Sequence, residues 1–151
     1  MLLKKFWDKA RTDQGSASLE FITAGMLLLV PVVYLVMAVS AVQGATLATE
    51  GAARHAARVY VQAANQSVAT AQAQHAVNVA LADFGIASDN ARVNITCASS
   101  CLTPRALVTV SVAVDVPMPL VPTVLNLHQL AVVPVSAQAS ELVSKFHAGA
   151  R

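Results

Sequence analysis

Residues 21–42 are 22 consecutive residues without one charged side chain, and nothing else in the sequence limits the fold as much. At about 1.5 Å per residue, a helix over this run spans roughly 33 Å, enough to cross the hydrocarbon core of a bilayer. A helix satisfies its own backbone hydrogen bonds, so it tolerates that environment. The charges before the run are Lys4, Lys5, Lys9 and Arg11 against Asp8 and Asp13. After Gly15 the basic residues Arg54, Arg58, Arg92, Arg105, Lys145 and Arg151 are balanced by Glu20, Glu50, Asp83, Asp89, Asp115 and Glu141. All the net positive charge therefore precedes the apolar run. Positive flanks stay in the cytoplasm, so the body beyond about residue 45 is expected to be translocated. With no basic cluster in that body, nucleic acid is excluded as a partner. The chain is 56% hydrophobic and 12% charged, too apolar for disorder. Its 151 residues suffice for one small domain.

The junction before the run reads Gly-Ser-Ala-Ser-Leu-Glu-Phe over residues 15–21. Glu20 places a carboxylate at the mouth of the membrane helix. A charge costs about 2.5–3.5 kcal/mol at the centre of such a helix and less near its end, so its presence points to a partner. The arrangement resembles the processing site of type IV prepilins. In that family a peptidase cuts after a glycine, and a glutamate stands at the fifth mature position. Those positions are Gly15 and Glu20 here, and the new first residue is Ser16. Phe21 is similar to the Glu-Tyr/Glu-Phe variant of tight-adherence (Tad) pilins. Ser16, the length and the downstream layout resemble the TadE-like minor pilins of that branch. The resemblance is specific over residues 11–60 and architectural beyond.

The resemblance implies a prepilin peptidase that acts at Gly15, where a larger side chain would not fit its pocket. It implies that Glu20 neutralises the Ser16 amine of a neighbouring subunit. Two charges that are each costly in a low dielectric attract strongly as a pair. It also implies other pilins or pseudopilins, an inner-membrane assembly platform and the lipid bilayer as partners. The expected location is the bacterial inner membrane, with a cytoplasmic N-terminus and a periplasmic head, or an extracellular pilus. The expected roles are pilus priming and adhesion. Two rival readings stay open. Signal peptidase could cut after Val39-Ser40-Ala41, although an apolar region of about twenty residues exceeds the usual 7–15. Alternatively nothing cuts, and the chain is a single-pass inner-membrane protein whose periplasmic head binds a partner.

Pro31 lies inside the apolar run, where it removes one helix hydrogen bond. It is read either as a simple kink or as a soft point that lets the helix bend on leaving the bilayer. Residues 43–64 are alanine-rich and free of proline, so the helix is expected to continue to near Asn65. Glu50 and Arg54 stand in the favourable i, i+4 order. Ser40, Gly44, Ala48, Ala52 and Ala56 recur every four residues. They are read either as a packing seam against another pilin helix or as a chance product of an alanine-rich helix. The segment Asn65-Gln66-Ser67 predicts a break, with Ser67 as N-cap. A second helix to about Phe84 follows, with Val77, Ala80, Leu81 and Phe84 on one apolar face. Gly85 stands at the C-cap position.

After Gly85 the period becomes two. Val93, Ile95 and Cys97 alternate with Asn94 and Thr96, and Val108, Val110, Val112, Val114 and Val116 alternate with Thr109, Ser111, Ala113 and Asp115. Leu130 to Ala139 predicts a weaker third strand, with Pro134 placing it at an edge or bulge. Three strands with one apolar face need cover, and the alanine-rich helices supply it. The expected class is α+β: a long N-terminal transmembrane helix extending into a periplasmic head, and a second short helix on a small antiparallel sheet. The expected parts are leader 1–15, membrane segment 16–42, helical part 43–84 and β-rich head 85–151. The connection 117–127 is apolar and proline-rich. It is read as a lid over the sheet or as a contact surface.

Cys97 and Cys101 enclose three residues. Two cysteines in a translocated region favour a disulfide. They lack further ligands for a metal and are not a Cys-x-x-Cys redox motif. His55, His75, His128 and His147 are scattered without ligand spacing. The sequence contains no phosphate loop, no Gly-x-Ser-x-Gly elbow and no carboxylate pair. No cofactor or metal is expected, and the chain reads as a substrate of enzymes rather than as one.

Overall fold

The computed structural model describes residues 16–119 and 132–147. In chain order it contains helix α1 (Ser16–Gln62), helix α2 (Gln66–Ala82), a 3-10 turn (Ser88–Asn90) and strands β1 (Ala91–Cys97), β2 (Leu107–Pro117) and β3 (Val132–Leu142). The class is α+β: a long apolar N-terminal helix, a second helix and a small three-stranded antiparallel sheet in the order β1-β2-β3. The chain divides into two compact units, one ending at Ala38 and the other beginning at Val39.

In the first unit the described residues are all helix, continuous through Pro31. In the second unit, α1 from Val39 onward and α2 share one core with the sheet. The valine face of β2 builds that core: Val108, Val110, Val112 and Val114 are completely buried. Each such side chain contributes roughly 1.5–3 kcal/mol by leaving water. Opposite them stand mainly alanines: Ala48, Ala52, Ala53, Ala56 and Ala57 from α1, and Ala69 and Ala73 from α2. The small alanine side chains keep the helical layer close to the valines at interior packing density. Tyr60, Val77 and Leu81 are the larger fillers. Among the described residues Thr49 is the buried polar one, and its hydroxyl donates to the Ala45 carbonyl at 2.6 Å.

Helix α2 starts one turn after α1 stops. Its N-cap is Asn65, whose side-chain oxygen accepts from the Val68 N–H at 3.0 Å. The expected cap, Ser67, already lies in the helix and donates its hydroxyl to Asn65 instead. Asparagine caps as well as serine, and the earlier of the two candidates wins here. At the other end Gly85 adopts φ +70°. The Ile86 N–H reaches the Leu81 carbonyl at 3.0 Å, and the Gly85 N–H reaches the Ala82 carbonyl at 2.9 Å. This is a Schellman closure with glycine in the left-handed position, as expected of Gly85. Of the expected apolar face, Val77 and Leu81 are buried, while Phe84 is 52% exposed. The chain has left the helix by then, and Ile86 packs on the core instead.

The sheet register pairs Val93 with Val112 and Val112 with Ala137. The Ala98 N–H donates to Leu107 directly opposite, at 3.0 Å. Bonded pairs alternate along an antiparallel ladder. Arg92, Asn94 and Thr96 therefore bond to β2, and the backbone groups of Val93, Ile95 and Cys97 face the free edge. Likewise Val143 donates to Ala106 at 2.9 Å, so Val135, Ala137 and Ala139 bond to β2 and Pro134 faces outward. Strand β3 is an edge strand, as Pro134 implied. It extends past Ala139 to Leu142. Leu130, Ala131 and residues 120–127 of the apolar connection lie outside the described residues. On the outer face, Arg92 and Asp115 form a two-pronged ion pair at 2.9 and 3.1 Å. That pair raises the Arg92 guanidinium above its ordinary value, through the hydrogen bond first and the charge second.

Candidate functional site

The residues singled out at the junction fall at the start of α1. Gly15 lies outside the described residues, and Ser16 is the first residue of the helix. Glu20 and Phe21 follow within its first two turns, and both are exposed. Phe21 is 80% exposed. Glu20 is the only charged residue between Ser16 and Glu50. Leu27, Leu28, Leu29, Val30, Leu35 and Val36 are all more than half exposed, and they lie on every side of the helix. A helix apolar all round suits hydrocarbon, not water. This is one helix long and apolar enough to cross a membrane, with a mean hydropathy of 2.5 over its most apolar window and none of that window buried. Thr23, inside the apolar run three residues after Glu20, donates its hydroxyl back to the Leu19 carbonyl at 2.7 Å. It therefore brings no unpaired polar atom into the run.

The repeat of small residues does not form one face. Ser40 is exposed and Gly44 half-buried, while Ala48, Ala52 and Ala56 are 0–1% exposed inside their own core. The reason is geometric. Four residues advance an α-helix by slightly more than a turn, about 40°, so a four-residue repeat winds round the helix. A seam against another pilin helix is therefore closed to Ala48, Ala52 and Ala56. Farther along, Glu50 and Arg54 form the expected i, i+4 pair at 3.2 Å. It is exposed, and it contributes a few tenths of a kcal/mol.

Cys97 and Cys101 are joined in a disulfide, with Cα atoms 5.2 Å apart. It ties the end of β1 to the loop that leads into β2, and both residues pack on the core. Sequence reasoning did not connect His55 with His75. They line one shallow groove between α1 and α2, together with Val59, Gln62, Gln72 and Val79. Twenty residues separate them, and no local spacing signals the pairing. The groove contains neither an acid nor a nucleophile. Among the described residues, no three metal-ligating side chains stand together. The Nε2 of His147 is buried with no hydrogen-bond partner among the described residues, and His128 lies outside them.

No protein-family model, curated protein or solved structure matches the chain. Fold and site together define an α+β protein with a disulfide-closed sheet and one helix of membrane-spanning length and composition.

Proposed function

We propose that this chain is a non-enzymatic minor pilin or pseudopilin of a Tad-type pilus, cut after Gly15 by a prepilin peptidase. The observation that carries the reading is the carboxylate of Glu20, the only charge from Ser16 to Thr49, placed within the first two turns of α1 at the head of its apolar run. A free carboxylate there is costly, and the amine that cleavage would expose on Ser16 of a neighbour is a fitting counter-charge. The α+β layout supports the reading, because a spine helix that continues from an apolar segment into a sheet-covered core is pilin-like. Such a subunit would sit in the inner membrane with its head in the periplasm. It would then join other pilins at the assembly platform to prime a pilus used in adhesion.

The test is the intact mass and N-terminal sequence of the protein from membranes of its native host. A start at Ser16 supports the proposal. A start at Met1 supports an unprocessed single-pass protein with a partner-binding head and removes the amine that Glu20 would meet. A start at Val42 means a head without its spine and ends the pilin reading.

A further inference from the structure

We propose that strand β1 pairs with β1 of a second copy, antiparallel about a twofold axis at Asn94, so that two three-stranded sheets become one. This goes beyond the pilin reading and does not depend on it.

The two edges of the sheet differ. On β3 one of the outward-facing backbone positions, near the start of the strand, is Pro134, which has no N–H to offer. Because Pro134 lies in a pair with Asp115 that exchanges no hydrogen bonds, the proline leaves the β2–β3 ladder intact. That is a common way to blunt an edge. Strand β1 has no such device. Its segment, Ala-Arg-Val-Asn-Ile-Thr-Cys, contains no proline and no lysine, and its register with β2 runs without a bulge. The backbone groups of Val93 and Ile95 face outward and have no partner among the described residues.

The strand is also complementary to itself. With the axis at Asn94, Val93 lies opposite Ile95 of the second copy, in a pair that exchanges both backbone bonds. Arg92 lies opposite Thr96 of the second copy, so no like charges meet. The Arg92 charge is already paired with Asp115 of its own chain at 2.9 Å. On the core face, Val93 and Ile95 are only half-buried, whereas the β2 valines beside them are completely buried. The copy would supply the missing cover: each Val93 gains an Ile95 neighbour and each Ile95 a Val93.

The experiment uses the full chain in native membranes. In a pair without hydrogen bonds the Cα atoms lie about 4.5 Å apart, within disulfide reach. Asn94→Cys should therefore give a covalent dimer under mild oxidation. Arg92→Cys, on the same exposed face, would stand about 13 Å from its own mate and should crosslink several-fold less. Equal crosslinking of the two variants overturns the proposal. So does the absence of crosslinking in Asn94→Cys protein whose Cys97–Cys101 bond is intact by mass. Asn94→Lys then sets two ammonium groups face to face at an exposed position that the fold does not use. Its dimer fraction, read with a bifunctional amine-independent crosslinker, should fall several-fold, and an unchanged fraction overturns the proposal.

Discussion

Ser40 and Ala56 belong to one repeat of small residues, yet Ser40 is exposed and Ala56 is completely buried against the valine face of the sheet. A leucine should therefore be costly at one end and tolerated at the other. Ala56→Leu must force extra methylenes into a filled core, at a cost of about 1–3 kcal/mol. Ser40→Leu should leave stability within about 0.5 kcal/mol. Denaturant unfolding of the full chain in detergent, followed by circular dichroism, separates them.

Asn65→Ala should cost about 1 kcal/mol, because it strips the Val68 N–H of its acceptor. Ser67→Ala should cost less, since its hydroxyl only supports Asn65. If the order were reversed in the same unfolding measurement, Ser67 would be the cap after all.

At Gly85, an added Cβ would meet nothing within 4 Å, so the space is free and only the backbone objects. With φ at +70°, Gly85→Ala should destabilise by about 1–2 kcal/mol. Gly85→Asn should cost less, because asparagine tolerates the left-handed region better. Equal losses from both would mean that the closure is not held in this conformation.

The disulfide closes a very short ring, for which loop entropy alone supplies about 2 kcal/mol. Replacing Cys97 and Cys101 together by serine should lower stability by about that amount. Adding reductant to the native chain should reproduce the loss, and in the double variant it should do nothing more. A double variant as stable as the parent would show the ring to be inert.

For the pilin reading, Glu20→Ala should leave membrane insertion intact and abolish assembly into pili. The carboxylate is exposed, so the substitution removes a charge without disturbing packing. Counting pili and membrane-bound protein in the same cells tests both halves. Unchanged piliation would sink the proposed charge pairing.

Much of this architecture was legible from the residues. The uncharged run, the valine alternation of β2, the closure at Gly85, the edge position forced by Pro134 and the Cys97–Cys101 bond are all signals of short range. Each depends on a period along one element, or on the backbone within five residues, so the chain carries it without reference to its neighbours. The tertiary structure decided the rest. It turned Ala48, Ala52 and Ala56 inward, left Phe84 outside in favour of Ile86 and put His55 and His75 on one groove. It also left the β1 edge without a partner among the described residues, while Pro134 interrupts the β3 edge near its start. None of these follows from local chemistry, because which side of an element is buried depends on what packs against it. A four-residue repeat on a helix of 3.6 residues per turn cannot name its own partner.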